Sequence, residues 1–130
     1  MEKTIGHAAS KSGVNIETIR YYEREGIVPK PDRTSAGRRS YSDEDIARLR
    51  FIRRCRDLGF PIPDAKSLLG LTDGSQSNCA TAGSIAENHL KEVKLKIEAL
   101  RRMEAALTDM TKKCGANNQK CPVLDELLSD

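Results

Sequence analysis

The chain has 130 residues with a formal net charge of +3, and 32% of its residues are charged against 38% hydrophobic, with no tryptophan. This length fits one domain or a small domain with an extension, and the composition favours a modest helical core over a large β-sandwich. No apolar run approaches the roughly 18 residues that span a bilayer, and the N-terminus lacks a signal peptide's hydrophobic stretch, which predicts a cytoplasmic protein without a membrane partner.

Two short helices open the predicted fold. Thr4 precedes the segment IGHAASKS, which ends at Gly13, and Asn15 is a good N-cap for a second helix, IETIRYYERE, closed by Gly26. The tight turn between them predicts a helix-turn-helix. Its expected core consists of Ile5, Ala8, Ala9, Val14, Ile16 and Ile19. The side chains expected to face outward are Glu17, Thr18, Arg20, Tyr21 and Arg24.

A wing and two further helices follow. Prolines and a glycine break the segment IVPKPDRTSAGRRSY, which predicts a two-stranded wing with its turn near residues 35–37. Ser42 and Asp45 resemble a capping pair that opens a third helix, which Gly59 ends. A fourth helix starts near Pro63. The apolar stripe of the third helix runs through Ile46, Leu49, Ile52 or Phe51, and Leu58.

The basic charge is concentrated in this first half of the chain. Residues 20–56 hold eleven lysines and arginines against six acidic residues, whereas residues 77–130 hold eight of each. This asymmetry favours a polyanionic partner such as nucleic acid for the N-terminal half. A solvated basic face without a partner is the alternative.

A long helix is predicted after a polar linker at residues 72–79. Residues 80–113 contain no proline, and one narrow apolar stripe runs along them at spacings of three, four or seven. Such a stripe predicts a coiled coil between two subunits, and packing against the chain's own N-terminal domain is the alternative. The stripe comprises Leu90, Val93, Ile97, Leu100, Leu107 and Met110.

Two cysteines flank the end of this helix. Gly115 is expected to end the long helix just after Cys114, and Pro122 to open a short helix with Cys121 as its N-cap. Backbone N–H groups at a helix start favour a thiolate. The six-residue gap alone fits a disulfide, a zinc clip or a redox pair, although a cytoplasmic chain favours thiols or metal ligands.

A third cysteine, Cys79, precedes the long helix. About 35 residues at 1.5 Å each put it on the order of 50 Å from Cys114 in the same chain. In an antiparallel dimer, Cys79 of one subunit joins Cys114 and Cys121 of the other, which gives two equivalent sites. Three thiolates without a nearby histidine suit a soft cation. Cys55, in the third helix, is instead predicted to be a small buried residue.

Three segments carry a family resemblance: TIRYYEREG, GRRSY and FIRRCRDLGF. With the residues between them they closely resemble the winged helix-turn-helix of MerR-family transcription regulators, and the resemblance covers nearly the whole chain. The long helix with its three cysteines looks most like the mercury-responsive members, which sense Hg(II) through cysteines shared across a dimer.

The resemblance implies a mechanism and a set of DNA contacts. A homodimer binds double-stranded promoter DNA whose elements are spaced too far apart for RNA polymerase, represses without metal, and activates heavy-metal resistance genes when metal binding makes it bend and untwist the DNA. The residues that match the family's contacts are Thr18, Arg20, Tyr21 and Tyr22 on the second helix and Arg38, Arg39 and Tyr41 on the wing. Tyr22 fits a core position equally well.

Two departures from the family pattern bear on these expectations. Pro61 stands where a Ser or Thr cap is usual, and the gap between Cys114 and Cys121 is closer to that of some cadmium or lead sensors. Cd(II), Pb(II) or Zn(II) is therefore the alternative to Hg(II). A thiol metal buffer or redox protein inside the cell is the alternative of another class. No phosphate-cradling glycine loop or carboxylate cluster is present, which predicts that the chain is not an enzyme.

Together these observations predict a mostly α protein. Residues 1–71 form a winged helix-turn-helix DNA-binding domain, and residues 72–79 form a linker. Residues 80–113 form a dimerisation helix in an antiparallel coiled coil. Residues 114–130 form a short metal-binding loop and a C-terminal helix.

Overall fold

The computed structural model describes residues 3–72, 74, 77–114 and 121–130. Within these residues the chain is mostly helical, as predicted. It forms two compact units, residues 1–86 and residues 87–130, and one long helix contributes to both. The helices of the described part are α1 (Ile5–Ser12), α2 (Ile16–Arg24), α3 (Asp43–Asp57), α4 (Ile62–Gly70), α5 (Ser77–Lys113) and α6 (Pro122–Leu128).

Side-chain caps begin the first three helices. The hydroxyl of Thr4 accepts from the backbone N–H of His7, and the Asn15 side chain accepts from that of Thr18 at 2.8 Å. Ser42 and Asp45 form a reciprocal capping box, with side-chain to backbone distances of 3.1 and 2.9 Å. Each cap satisfies N–H groups that have no partner inside the helix, which confirms the three predicted starts.

The turn between α1 and α2 is clamped by α3. Gly13 has a left-handed φ of 77°, and the N–H of Val14 donates to the buried Ser12 hydroxyl. From α3, Arg50 donates to the carbonyl of Lys11 at 3.2 Å, and the Arg53 guanidinium lies against Gly13. The predicted helix-turn-helix is therefore present, and a third helix fixes its corner.

One apolar core lies among α1–α4. Its buried residues are Ala8, Val14, Ile19, Tyr22, Ile27, Val28, Tyr41, Ile46, Leu49, Ile52, Cys55, Phe60 and Ala65. Two residues that were predicted to be buried are not: Leu58 is 69% exposed, and Ile16 is exposed as well. Leu58 is the C-cap of α3 and Ile16 the first residue of α2, so the helical period no longer turns them inward.

The wing is a tight turn with a single bridge. Arg33 and Arg39 form an isolated antiparallel bridge, and the N–H of Thr34 donates to the Arg38 carbonyl across the turn. Gly37 takes a φ of 82° inside it. The described residues contain no longer ladder, so the prediction of two strands was wrong in extent. Pro29 and Pro31 lack N–H donors and limit the pairing on that side.

Helix α4 begins without a side-chain cap. Pro61 is its N-cap residue and makes no capping hydrogen bond, and Pro63 lies in the first turn, where a missing N–H costs little. Just before it, the Arg56 side chain donates to the Phe60 carbonyl. The predicted start near Pro63 is confirmed. The helix begins with two prolines and without the side-chain cap that a serine would supply.

Helix α5 starts at Ser77, earlier than predicted, so Cys79 lies in its first turn instead of before it. Polar residues suit a first turn because its N–H groups have no partner inside the helix and bond to side chains or water instead. This is why the start of α5 resembles a linker in sequence. The helix ends at Lys113. The predicted stop at Gly115 lies outside the described residues.

The apolar stripe of α5 is exposed to solvent in the single chain. Leu90, Ile97, Leu100 and Leu107 are between 42% and 61% exposed, and Met103 joins them at 57%. The described helices include none that combines the length and apolar character needed to cross a membrane. The charged residues that flank the stripe on α5 are consistent with that result.

Replacing Gly13 with alanine should lower the free energy of unfolding by about 1–2 kcal/mol, because a Cβ disfavours the left-handed conformation. The new Cβ would also lie 2.0 Å from the present position of Arg53 Nη1, so this side chain would have to move. Gly70→Ala is the matched control: it lies in α4 with open space around it. Urea unfolding at equal protein concentration measures both, and equal stability of the two variants would contradict the clamped turn.

Candidate nucleic-acid interface and cysteine site

Helix α2 presents a polar, partly aromatic face to solvent. Arg20 is exposed, Thr18 is half-buried, and Tyr21 is 42% exposed. The Arg24 guanidinium lies 5.7 Å from the centroid of the Tyr21 ring, which holds this ring at the surface through a cation–π contact. Three of the four predicted α2 contacts are therefore accessible.

The wing carries exposed arginines on a well-defined turn. Arg33 Nη1 donates to the Gly37 carbonyl at 2.8 Å, and the Arg38 N–H donates to the Thr34 hydroxyl at 3.2 Å. These bonds leave the Arg38 side chain exposed at the tip. The wing thus presents guanidinium groups, the donors that match phosphate oxygens.

A basic groove separates α2 from the wing. It has a volume of about 420 Å³, and its lining residues are Thr4, Ile5, Arg20, Arg33, Gly37, Arg38 and Arg39. A second groove of about 570 Å³ on the wing shares Thr4, Arg38 and Arg39 and adds Lys3. Four arginines around one open groove form a surface suited to a polyanion.

One buried carboxylate connects α2 to the wing. Glu23 has a side chain only 2% exposed, and its Oε1 accepts from Arg39 Nη1 at 2.5 Å. Its Oε2 accepts from the Tyr41 hydroxyl at 2.8 Å. Both carboxylate oxygens are therefore satisfied by wing residues, as burial of a charge requires.

Tyr41 corrects one predicted contact. Its side chain is 1% exposed, and its hydroxyl is engaged by Glu23, so the ring supports the wing from inside instead of facing a phosphate. Tyr22 is 7% exposed and belongs to the core, the second of its two predicted positions. Burial raises the pKa of the Tyr22 phenol. Both tyrosines hold the basic elements in place.

Several residues of this surface were not predicted as site residues. Arg33 and Lys3 line the grooves, and Glu23 binds Arg39, which lines both of them. A sequence signal existed for Glu23, because it lies four residues after the buried Ile19 and so on the core face of α2. A charged residue at such a position is rarely buried without a partner.

The cysteines divide into two kinds. Cys79 and Cys114 are exposed at the two ends of α5, and Cys121, half-buried, is the N-cap of α6 as predicted. Cys55 is buried in α3, and burial raises the pKa of its thiol, so it behaves as a core residue. Across residues 3–72, 74, 77–114 and 121–130 of one chain, no three metal-ligating side chains lie together.

The donor chemistry of the accessible cysteines fits a soft metal ion. Three thiols offer sulfur ligands, which thiophilic cations prefer over oxygen ligands. The residues between Cys114 and Cys121 lie outside the described part of the chain. Cys79 lies in the first turn of α5, and Cys114 directly follows its last residue.

Comparison with known families decides the assignment of the fold. A model described as the MerR helix-turn-helix family regulatory protein matches residues 3–71, and a model described as MerR, DNA binding, matches residues 46–110. The chain belongs to the MerR family. Members of this family are DNA-binding transcription regulators and not enzymes, which confirms the predicted class, the helix-turn-helix and the nucleic-acid partner.

Individual MerR-family relatives cover almost the whole chain. A mercuric resistance operon regulatory protein from Bacillus cereus is 39% identical over 130 residues, 98% of each chain. The lead(II) complex of a transcription regulator from Ralstonia metallidurans is 32% identical with a TM-score of 0.80 and covers 95% of this chain and 97% of the other. The mercury(II) complex of a dual-function regulator from Bacillus megaterium is 32% identical, has a TM-score of 0.72 and covers 93% and 95%.

The buried Tyr41 should give the fold a distinct alkaline pH dependence. Burial and the hydrogen bond to Glu23 raise the pKa of Tyr41 to about 12, against about 10 for an unfolded tyrosine. The folded phenol keeps its proton to higher pH. Its contribution to stability is therefore complete below about pH 10 and is lost as the pH rises through about 12.

Urea unfolding of the reduced protein between pH 9 and pH 12 measures this loss. Tyr41→Phe should lower stability at pH 9 and lose less of it on going to pH 12 than the wild type does. Tyr21→Phe, which removes an exposed hydroxyl, is the control and should follow the wild-type curve. Parallel curves for the wild type and Tyr41→Phe would contradict the assignment.

Proposed function

We propose that the protein is a homodimeric, cytoplasmic transcription regulator that senses a soft divalent metal, with Hg(II) favoured. Without metal it represses a promoter. With metal bound to three thiolates, the partner's Cys79 together with Cys114 and Cys121, it distorts the promoter DNA so that RNA polymerase activates heavy-metal resistance genes. The four parts of the chain keep their predicted roles, with the dimerisation helix extended to Ser77.

The observation that carries this proposal is the placement of the exposed thiols at opposite ends of one long helix. Cys79 lies in the first turn of α5 and Cys114 directly follows its last residue. The length predicted from the sequence, about 50 Å for about 35 helical residues, is too great for these two thiols to meet within one chain. When two such helices pair antiparallel, the start of each lies beside the end of the other, so the thiols of different subunits meet.

The exposed stripe of α5 supports the pairing itself. Leu90, Ile97, Leu100 and Leu107 leave a large apolar area in contact with water in the single chain. Covering that area releases free energy at about 25 cal/mol per Å² of apolar surface. A second α5 offers the same stripe and the heptad-like spacing that allows knobs-into-holes packing.

The relatives support both the class of ligand and the identity of the metal. The Bacillus cereus relative regulates mercuric resistance, and the Bacillus megaterium structure contains mercury(II). Thiolate sulfur is the donor that such ions select. DNA binding by α2 and the wing would use Thr18, Arg20 and Tyr21 together with Arg38 and Arg39, with the arginines on phosphates.

Substituting Cys79 with serine should abolish metal induction of a reporter promoter and leave DNA binding in place, because Cys79 is far from α2 and the wing in sequence. The double variant Cys114→Ser with Cys121→Ser should behave in the same way. Cys55→Ala is the matched control and should respond to metal normally, since its thiol is buried.

Mixed dimers of the two deficient variants test whether the site is shared. One subunit with Cys79→Ser and one with both C-terminal cysteines replaced still contain one complete set of three thiols, but only if the set is drawn from both subunits. Co-expression with different affinity tags isolates this mixed dimer. It should bind one metal ion with thiolate absorption, and the absence of binding would refute the shared site.

A lead- or cadmium-sensing role is the second candidate, favoured by the TM-score of 0.80 to the lead(II) complex. Competitive titration of the reduced dimer with Hg(II), Cd(II), Pb(II) and Zn(II), followed by thiolate-to-metal absorption, separates the two. We expect Hg(II) to displace the others with one ion per subunit. Retention of Pb(II) or Cd(II) in equimolar Hg(II) would favour the second candidate.

A further inference from the structure

The buried carboxylate of Glu23 lies at the joint between the two basic elements. Glu23 is in the last turn of α2, and one turn earlier the same helix exposes Arg20. The wing partners, Arg39 and Tyr41, are separated by one residue. In extended chain, residues two apart point to the same side, so both reach the same carboxylate. The wing is attached to α2 at two points.

The same wing segment is anchored on its other side. The N–H of Tyr41 donates to the carbonyl of Lys3 at 2.9 Å, and the N–H of Ser40 donates to the carbonyl of Asp32 at 2.8 Å. These backbone bonds hold the segment along its length. They do not fix the distance between this segment and α2. Among the described side-chain contacts, the hydrogen bonds to the Glu23 carboxylate connect the segment to α2.

The charged side chains that line the groove between α2 and the wing are all cations. Arg20 comes from α2, and Arg33 and Arg38 come from the wing. Like charges around one groove repel each other before a polyanion arrives. Glu23 pairs with a fourth cation, Arg39, which lines the same groove with a side chain 34% exposed. The carboxylate therefore neutralises one of the four groove cations while its own side chain stays 2% exposed.

We propose that Glu23 is a positioning residue for DNA binding, which holds the wing arginines at the separation from α2 at which both elements contact one duplex. The inference rests on the proposed function. Glu23 does not touch the DNA in this scheme, since both its oxygens are occupied inside the protein. Its effect on affinity passes through the wing.

Glu23→Gln separates this role from two simpler ones by the sign of its effect. If the carboxylate acted only through its charge, its removal would tighten DNA binding and steepen the salt dependence, because the basic surface would lose a repelling anion. If it acted only on stability, the folded protein would bind unchanged. A positioning role predicts binding weaker by about tenfold and a shallower salt dependence, with a slope smaller by about 1 per subunit for each lost phosphate contact.

The measurement uses the full-length reduced protein and a duplex selected by the wild type from a random DNA pool. Fluorescence anisotropy at several salt concentrations gives the affinity and the slope, and circular dichroism confirms that each variant is folded. Glu25→Gln is the matched control, because it removes an exposed charge at the end of the same helix. It should bind as tightly as the wild type or slightly more tightly.

Tyr41→Phe provides a second variant in case Glu23→Gln does not fold. It removes one of the two wing attachments and leaves every charge in place, so it should weaken binding in the same direction by a smaller factor. Unchanged affinity and slope for Tyr41→Phe, or tighter binding by Glu23→Gln, would overturn the proposal.

A double-mutant cycle with Arg38→Ala tests whether the effect passes through the wing. Glu23 makes its side-chain contacts with Arg39 and Tyr41, so coupling to Arg38 in DNA binding reports the wing's position. In the Arg38→Ala background, Glu23→Gln should cost clearly less than in the wild type. Strict additivity would overturn the proposal. If the wild type selects no duplex at all, the proposed function itself fails, which is a different outcome.

Discussion

The main constraint on the N-terminal unit is electrostatic: a small core must hold in place several arginines that repel one another. The apolar residues of α1–α4 bury enough surface to order the helices, but the wing contributes almost no backbone ladder. A single buried carboxylate, Glu23, connects the wing to α2. A buried charge is stable only when its hydrogen bonds are complete, so this contact is satisfied in one arrangement of the wing and costly in others.

The turn of the helix-turn-helix is likewise held in place by polar side chains from another element. The turn at Gly13 has a conformation that glycine tolerates, and α3 covers it with Arg50 and Arg53. Arg50 and Arg56 of α3 thus donate to backbone carbonyls, whereas Arg20 of α2 and Arg38 of the wing are exposed to solvent. The basic excess of the first half of the chain therefore serves two purposes, and charge counting alone cannot separate them.

Features that depend on residues close together in the chain could be predicted from the sequence, and contacts between distant residues could not. The caps at Thr4, Asn15 and Ser42 depend on residues three positions apart, so the pattern alone predicted them. Tyr41 was predicted to contact DNA because it matches a wing position of the family, and its role depends on a carboxylate 18 residues earlier in the chain. Periodicity also failed at helix ends, where Ile16 and Leu58 no longer follow the helical rotation. For the cysteines, the sequence predicted the N-cap at Cys121, but the linker prediction placed Cys79 outside the helix that contains it.

Helix α5 is continuous, so a change in its length also rotates the side chains that lie beyond the change. One inserted residue turns the helix beyond it by about 100° and would rotate the later part of the apolar stripe away from the earlier part. Seven inserted residues restore the face almost completely. In an antiparallel pair both helices lengthen together, so the two ends remain matched. Among natural variants of this chain, changes in the length of α5 should therefore occur in steps of whole heptads.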